Sequence, residues 1–338
     1  MNNKVKTQEK LDNISKLIGN TPLIEISFTY KGKLKKIFSK LEYYNLTGSI
    51  KDRMAFHIIK KAYSEGRLKE DDLIVEATSG NTGISIAAIG KIVGNKVSIY
   101  MPEWMSTERK NIIRSLGADI RLVSKEEGGF LGSIQMTKDL AKLDSSVFLA
   151  SQFSNEDNTE ANYLTTGPEI WNDLIKHDLV SDALVAGVGT GGTVMGIGKY
   201  LKEKNPSVKV YPLEPSNSPT ISTGNKVGAH RIQGISDEFI PDLLDLNFLD
   251  EIISVDDGDS IIMAQKFAEE LGLAIGISSG ANFLGAVLAL DNFDYDANVV
   301  TIFPDDNKKY LSTDLMKEEP IKPEFISNHI KLIGIKVL

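Results

Sequence analysis

The chain contains no cysteine, which excludes disulfide bonds, cysteine-ligated zinc, iron–sulfur clusters and a cysteine nucleophile. Only four of its 338 residues are histidine, and no two of these are close in sequence, so a zinc helix of the H-E-x-x-H type is absent. Basic residues are in the minority, because 38 Lys and Arg stand against 46 Asp and Glu and give a net charge of −8. A nucleic-acid partner, which requires a basic face, is therefore not expected.

Signal peptides and membrane spans are also lacking. Residues 1–16 are polar and mixed in charge, without the apolar region of a signal peptide. Residues 271–290 carry no charge and are as numerous as a membrane span requires, but glycines interrupt them. We interpret this segment as a short strand (274–277), a tight turn and a buried helix (281–290). A cytoplasmic protein with no membrane partner is expected.

What is present is an ordinary globular composition, with 41% hydrophobic and 25% charged residues. The length predicts about two domains. Apolar runs typical of strands alternate with helix-length amphipathic segments, which predicts an α/β fold with mostly parallel sheets covered by helices on both faces. The predicted strands are 73–76, 97–100, 120–123, 147–150, 183–186, 208–213, 252–255 and 299–303. The predicted helices include 52–63, 82–92, 107–116, 163–175 and 260–271. The polar residues 154–162 are the nearest approach to a domain boundary, and residues 330–338 fit either a surface arm or an edge strand.

A glycine-rich turn at residues 187–192 follows a predicted strand and precedes a predicted helix that ends near Lys204. It reads G-V-G-T-G-G, and bare backbone amides at a helix N-terminus bind phosphate well. Because Glu214 follows about twenty residues later, the pattern fits the dinucleotide fingerprint of a nicotinamide-dependent oxidoreductase. The same turn also fits another phosphate-bearing ligand or a purely structural role.

Three further turns carry polar groups. Residues 77–83, A-T-S-G-N-T-G, offer hydroxyls and a carboxamide at a predicted helix start, suited to a carboxylate or a ring hydroxyl, or alternatively to a helix cap. Lys51 lies in the first turn of a predicted helix, where the helix dipole lowers the pKa of an amine nucleophile; the alternative is a solvated surface lysine. In residues 276–280, G-I-S-S-G, a hydroxyl is available to a buried ring nitrogen, although a simple small-residue turn is the other interpretation.

Together and in this order, these motifs resemble the cysteine synthase (O-acetylserine sulfhydrylase-like) family of fold-type II pyridoxal-phosphate enzymes. The resemblance runs from residues 18–23, I-G-N-T-P-L, to residues 309–313, K-Y-L-S-T. It implies two domains like those of the tryptophan synthase β-subunit. The smaller N-terminal domain would comprise 1–17 and 41–155, and the larger C-terminal domain 18–40 and 156–338. A homodimer and an acyltransferase C-terminal tail are partners by family analogy.

The resemblance also implies roles for individual residues. Lys51 would be the Schiff-base lysine that moves the substrate's α-proton, Asn81 would bind the cofactor's ring hydroxyl, and Ser278, beside Ser279, would face the pyridine nitrogen. The phosphate cup would be Gly189, Thr190, Gly191, Gly192 and Thr193. The substrate would contact Thr78, Ser79, Thr82, Gln152 and Gly234. A serine opposite the ring nitrogen favours loss of a β-leaving group, giving an α-aminoacrylate intermediate to which a second nucleophile adds. No metal ligand is expected.

The sequence departs from the family pattern at residues 236–238, where Ser-Asp-Glu replaces small residues, typically Gly-Ala-Gly. A carboxylate there repels bisulfide and acetate and accepts a proton from water or a thiol. Asp237 is thus the candidate base, Glu238 the weaker one, and a solvent-facing Asp237 the alternative. Residues 45–47, Asn-Leu-Thr, replace a Pro- and Gly-rich stretch, and residues 304–308, P-D-D-N-K, are a third departure without an evident consequence.

With Asp237, the sequence resembles the cysteine-consuming, sulfide-releasing branch of the family. That resemblance implies β-replacement on L-cysteine, which releases hydrogen sulfide and adds water to give L-serine or a second cysteine to give lanthionine. The alternative within the same chemistry is a cysteine synthase that joins O-acetylserine to sulfide. From other classes, an NAD(P)-dependent oxidoreductase or an inactive binding partner remains open, although an intact Lys51 and phosphate cup disfavour the latter.

Overall fold

The computed structural model describes residues 3–338, and side chains from residue 7 onward, so residues 1 and 2 of the predicted N-terminal domain lie outside the described part. Its strands are β1 (Leu23–Tyr30), β2 (Lys33–Leu41), β3 (Leu73–Ala77), β4 (Lys96–Pro102), β5 (Asp119–Val123), β6 (Val147–Leu149), β7 (Ala183–Gly187), β8 (Lys209–Pro215), β9 (Ile253–Val255), β10 (Val299–Phe303) and β11 (Ile330–Val337). Its helices are α1 (Asn3–Ile14), α2 (Lys51–Glu65), α3 (Asn81–Val93), α4 (Thr107–Ser115), α5 (Gly129–Leu143), α6 (Asp157–Leu164), α7 (Thr166–Ile175), α8 (Gly192–Lys204), α9 (Thr220–Thr223), α10 (Asp257–Leu271) and α11 (Ile277–Leu290).

The strands form two sheets. A seven-stranded sheet has the order β11-β1-β2-β10-β7-β8-β9, and a four-stranded sheet has the order β5-β4-β3-β6. All pairings are parallel except those of β1 with β2 and with β11. The expected α/β class with mostly parallel sheets is confirmed, and the near-continuous burial of β7 and β10 reflects cover on both faces.

Three hydrophobic clusters cover the sheets. Two of them lie on opposite faces of the larger sheet, and the third surrounds the smaller sheet. In the first cluster, Phe267 and Phe283 meet edge to face at 4.8 Å between ring centroids, which holds α10 against α11. Helices packed in this way against the two sheets have fixed starting positions at the carboxyl ends of the parallel strands.

Several predicted elements need correction. The predicted helix 163–175 is wrong as a single helix, because it breaks at Thr165 into α6 and α7. Pro168 lacks the N–H that a continuous helix would donate to residue 164, which explains the break. The predicted strand 274–277 is also wrong: Ile275 forms only an isolated bridge with Asp306, and α11 begins at Ile277.

Three other segments can now be assigned to strands or helices. The antiparallel hairpin of β1 and β2 was not among the predicted strands, and it joins the larger sheet beside β10. Residues 330–338 contain the edge strand β11. The membrane-length segment 271–290 divides between the end of α10, a turn and α11, and none of the helices in residues 3–338 is long and apolar enough to cross a membrane. The exact domain boundaries stay a prediction.

A buried ionic network ties α2 to the larger sheet. The Arg53 guanidinium contacts Glu42 at 2.6 Å and Glu169 at 2.7 Å. Lys40 of β2 contacts the same Glu169 at 3.1 Å. Burial alone would raise the pKa of Glu169, but hydrogen bonds and charge from Arg53 lower that pKa to about 2. The network therefore fixes the start of α2, where Lys51 lies, relative to β2 and α7.

Replacement of Arg53 by Met should lower the free energy of unfolding by about 3 to 5 kcal/mol, because Glu42 is left buried without its partner. The matched control is Lys31→Met, which breaks an ion pair with Asp291 whose side chains are more than half exposed, and should cost less than about 1 kcal/mol. Denaturant unfolding of both variants at equal cofactor load measures the difference. Equal losses would show that the network does not anchor α2.

Candidate active site

The predicted site residues meet where the carboxyl ends of strands from both sheets pass into helices. Lys51 begins α2, Asn81 begins α3, Gly192 begins α8, and Ser278 lies in the first turn of α11. Two adjoining cavities are lined by the predicted residues Lys51, Thr78, Ser79, Asn81, Thr82, Gln152, Gly189, Thr190, Gly191, Thr193, Gly234, Asp237 and Ser278. Gly192 does not line either cavity, but it continues the loop that does. The N-termini of these four helices give the site a positive backbone potential suited to an anionic ligand.

The loop 187–193 forms a compact cup at the start of α8. Gly191 adopts a positive φ of 85°, and the side chain of Asn158 donates a hydrogen bond of 2.8 Å to the Thr190 hydroxyl. A Cβ at Gly189 would lie 2.4 Å from the Gly234 carbonyl oxygen, and one at Gly192 would lie 2.2 Å from Asn158 Oδ1. Glycine is therefore required sterically at both positions. The Gly187 and Val188 amides are bonded to Asn282 and Leu213, so the amides that remain for a ligand are those from residue 189 onward.

The loop 77–83 and Gln152 form the opposite wall. The Thr82 hydroxyl donates to Gln152 Oε1 at 2.6 Å, and Gln152 Nε2 donates to the Ala77 carbonyl at 2.8 Å. Gly80, whose φ is 157°, turns the chain into α3 directly after Thr78 and Ser79. The amide of Gln152 is thus held in one orientation beside the first turn of α3, an arrangement suited to a carboxylate.

Lys51 lines both cavities, where its side chain is largely but not fully enclosed. Burial lowers the pKa of Lys51, while the negative charges of Asp305 and then Asp237 oppose that shift and Lys309 adds to it. A lysine in this setting is more readily a neutral amine than a solvated lysine is, which is the condition for nucleophilic attack on a carbonyl. The alternative of a solvated surface lysine does not describe this residue.

Asp237 is partly enclosed and lines the same cavity as Lys51. Burial raises the pKa of Asp237 to about 6, with Lys51 pulling in the opposite direction. The neighbouring Glu238 turns away and forms an ion pair of 2.7 Å with Lys226. The structure therefore brings one of the two acidic residues of this segment to the site.

Three hydrogen bonds fix Ser236, the residue directly before Asp237. Ser236 has a positive φ of 53°, its N–H donates to the Val188 carbonyl at 2.7 Å, and its hydroxyl donates to the Ser218 carbonyl at 3.0 Å. His230 Nε2 lies 3.0 Å from the Ser236 carbonyl oxygen, which can only accept, so this nitrogen donates. Burial lowers the pKa of His230 and keeps the ring neutral. These contacts aim Asp237 into the cavity despite the left-handed conformation.

Several lining residues were missed by sequence reasoning. Arg109 is 2% exposed, lies 4.7 Å over the Tyr310 ring and donates to Gln233, which also lines the site. Its setting in the sequence, between Glu108 and Lys110, is that of a solvated helix face, and gives no signal. Asn282 accepts from the Gly187 N–H at 2.8 Å, and its position in an otherwise uncharged helix was an available signal. Asp305, in the departure at 304–308, was also missed; it does not line either cavity but binds Asn81, which lines both.

Glu214, the acidic residue that a dinucleotide site would need for its ribose, is bound elsewhere. Glu214 is fully buried, accepts from the Ile221 N–H at 2.7 Å and also binds the Ser222 hydroxyl. Its carboxylate is therefore engaged in the chain after β8 and is not presented to a ribose. The phosphate cup at 187–193 remains available to a different phosphate ligand.

A metal-like grouping of His57, Asp157 and Glu160 lies outside these cavities. Lys61 contacts Asp157 at 2.7 Å and Arg67 contacts the same carboxylate at 2.9 Å. Cationic side chains already occupy the positions that a metal ion would take, so this cluster is an ion-pair network.

The cavities fit pyridoxal phosphate. The glycine loop and α8 N-terminus supply phosphate donors, and Lys51 supplies a buried amine beside them. Asn81 Oδ1 is buried and has no hydrogen-bond partner within the described residues, which leaves it free for a group on a bound ring.

Comparison with known proteins agrees with this fit. Residues 14–305 match the family model described as pyridoxal-phosphate dependent enzyme. A cysteine synthase of Staphylococcus aureus is 40% identical over 308 residues, covering 91% of this chain and 98% of that protein. The cysteine synthase structure of Entamoeba histolytica is 37% identical with a TM-score of 0.83, and covers 94% of each chain.

A hydrogen sulfide-producing enzyme of Fusobacterium nucleatum is more similar still. Its crystal structure is 57% identical with a TM-score of 0.95, and covers 98% of this chain and 100% of that one. An aspartate-to-asparagine variant of that enzyme was crystallised in complex with an α-aminoacrylate intermediate, with the same identity and TM-score.

Replacement of Gly189 by Ala should weaken pyridoxal phosphate binding at least tenfold, about 1.4 kcal/mol, because the new methyl group would collide with the Gly234 carbonyl. The control is Gly334→Ala in β11, where no atom lies within 4 Å of the added methyl. Titration of the cofactor into each cofactor-free protein gives the two dissociation constants. Unchanged affinity in the Gly189 variant would argue against this loop as the phosphate cup.

Proposed function

Because this chain belongs to the pyridoxal-phosphate dependent enzyme family, we propose that it catalyses β-replacement on L-cysteine. The bond between the β-carbon and sulfur breaks and sulfur leaves as hydrogen sulfide. Water then adds its hydroxyl at the β-carbon to give L-serine, or the thiol of a second cysteine adds to give lanthionine. In both cases the proton that the nucleophile loses completes the departing bisulfide to hydrogen sulfide, so no other reactant is needed.

Lys51 is the residue that would hold the cofactor and move the substrate's α-proton. The lowered pKa of Lys51 favours the neutral amine, which accepts that proton. When bound, pyridoxal phosphate supplies the electron sink that stabilises negative charge at the α-carbon. Ser278 would face the ring nitrogen with a neutral hydroxyl, and the loop 189–193 would bind the phosphate. The α-carboxylate would lie against Thr78, Ser79, Thr82 and Gln152, with Gly234 beside the substrate.

The position of Asp237 is the observation that favours consumption of cysteine over its synthesis. Its carboxylate lines the cavity that contains Lys51, and its pKa of about 6 makes it a base at neutral pH. It would take a proton from water or a thiol as that nucleophile attacks the β-carbon. The same negative charge disfavours re-entry of bisulfide, because like charges repel in a cavity of low dielectric.

A cysteine synthase activity is the second candidate. The observation that favours it is 40% identity with the cysteine synthase of Staphylococcus aureus over 91% of this chain. In that direction O-acetylserine would lose acetate and bisulfide would add, and both anions would have to pass Asp237. A homodimer, an acyltransferase tail as partner and a cytoplasmic location are proposed by family analogy alone.

Replacement of Asp237 by Asn should reduce sulfide release from cysteine by roughly 10²- to 10⁴-fold, because the positioned base is lost. Formation of cysteine from O-acetylserine and sulfide should fall much less, because bisulfide needs no base. The matched control is Glu238→Gln, which removes a charge that faces Lys226. Sulfide, serine, lanthionine and cysteine are quantified for each variant, and undiminished sulfide release by the Asp237 variant would refute its role.

The pH profile provides a separate test. A base must be unprotonated to act, and the pKa of Asp237 is raised to about 6, so the rate of turnover at saturating cysteine should rise with pH and level off above about 6. Below that pH the carboxyl carries a proton and the rate falls. In the Asp237→Asn enzyme this limb should vanish from the residual activity. A limb that persists in the variant would assign it to another group.

A further inference from the structure

The departure at residues 304–308 adjoins the site, because Pro304 lines one of the two cavities. Asp305 follows β10 and is fully buried, and its backbone is fixed between two elements of the site. The Ile50 N–H donates to the Pro304 carbonyl at 2.9 Å, and the Gly276 N–H donates to the Asp305 carbonyl at 3.1 Å. Asp305 is thus wedged between the residue that precedes Lys51 and the start of α11.

The carboxylate of Asp305 is bound on one oxygen only. Its Oδ2 accepts from Asn81 Nδ2 at 2.7 Å and from the Tyr310 hydroxyl. Its Oδ1, and also Asn81 Oδ1, are buried without a hydrogen-bond partner within the described residues. A buried carboxylate that is incompletely paired is costly, and its field acts on neighbouring groups with little screening by water.

Lys51 is one group that feels this field. Burial lowers the pKa of Lys51, and Asp305 is the largest charge that raises it again, ahead of Asp237. The other groups that face this carboxylate are Tyr310 and Lys309. Burial and the Asp305 charge raise the pKa of Tyr310, so it stays a neutral donor; burial lowers the pKa of Lys309, whose amine donates to the Gly48 carbonyl at 2.9 Å. The Arg109 guanidinium lies 4.7 Å over the Tyr310 ring.

We propose that Asp305 is a positioning residue of the cofactor site, which fixes the Asn81 amide beside the ring and holds a negative charge next to the segment that carries Lys51. The proposal rests on the proposed function insofar as Lys51 and Asn81 are assigned to the cofactor. Asn81 has two Nδ2 hydrogens, and the bond to Asp305 uses one of them, so the other hydrogen and Oδ1 are held toward the cavity. Since Asp305 is tied to α3, α11 and the segment before α2, its charge cannot relax away from Lys51.

The test is a pH titration of the visible absorption of the cofactor-loaded enzyme without substrate, because this absorption reports the proton on the Lys51 nitrogen. Asp305→Asn removes the negative charge with little change of shape. We expect the midpoint to fall by about one pH unit, since one unit is a modest change for a buried neighbouring charge. Asp306→Asn is the control: Asp306 pairs with Lys308 at 2.9 Å, and its loss should leave the midpoint in place.

Tyr310→Phe is a second variant that keeps the charge. It removes one donor from Asp305, so the carboxylate becomes less neutralised and the midpoint should rise by a few tenths of a unit. A merely structural role for the cluster predicts shifts of the same sign in both variants, or none. An unchanged or lowered midpoint in Tyr310→Phe would overturn the proposal, even if Asp305→Asn failed to fold.

These measurements need no turnover. If the enzyme released no sulfide from cysteine while the midpoints shifted as expected, the proposed substrate would be wrong and the role of Asp305 would stand. If sulfide were released normally and the Asp305→Asn midpoint matched that of the unmodified enzyme, the role of Asp305 would be refuted alone.

Discussion

The burial of the Lys51 amine is the constraint on which the site depends. An amine removed from water must lose its proton or find compensating charge. Two carboxylates on separate loops, Asp305 and Asp237, raise the pKa of Lys51. The nearby amine of Lys309 lowers it. The Arg53 network holds the start of α2, so Lys51 cannot retreat to solvent. The site is therefore a balance of fixed charges about one nitrogen.

Close backbone approach is the second requirement. Helices α2, α3, α8 and α11 all begin at this site, and their N-termini bring backbone amides and their partial positive charge together. Two sheets contribute, so α3 comes from one layer and α8 from another. The glycines at 189 and 192 permit this, since each would place a Cβ within 2.4 Å of a neighbouring oxygen. An anionic ligand is bound mainly by backbone, which leaves side chains free for chemistry.

The acidic residues bear on the direction of the reaction. The helix N-termini attract the phosphate and carboxylate at the edges of the site, whereas Asp237 lines the cavity itself. A cavity of this kind tolerates a neutral nucleophile such as water or a thiol better than bisulfide or acetate. The carboxylate is held there by Ser236 and His230, through backbone contacts that do not depend on its charge.

The α/β class, most of the strands and the order of the loop motifs could be predicted from the amino-acid sequence, because strand burial and turn chemistry are local properties. The resemblance carried by those motifs pointed to Lys51, Asn81 and the cup at 189–193, which the structure brings together. Two features were not predicted. The hairpin of β1 and β2 depends on its pairing with distant strands, and the helix break at Thr165 depends on Pro168. Only tertiary structure decided that Asp237 faces the cavity, that Glu238 does not, and that Asp305 and Arg109 belong to the site. Burial and orientation arise from segments far apart in the chain, and a side chain's neighbours are not written in its own local sequence.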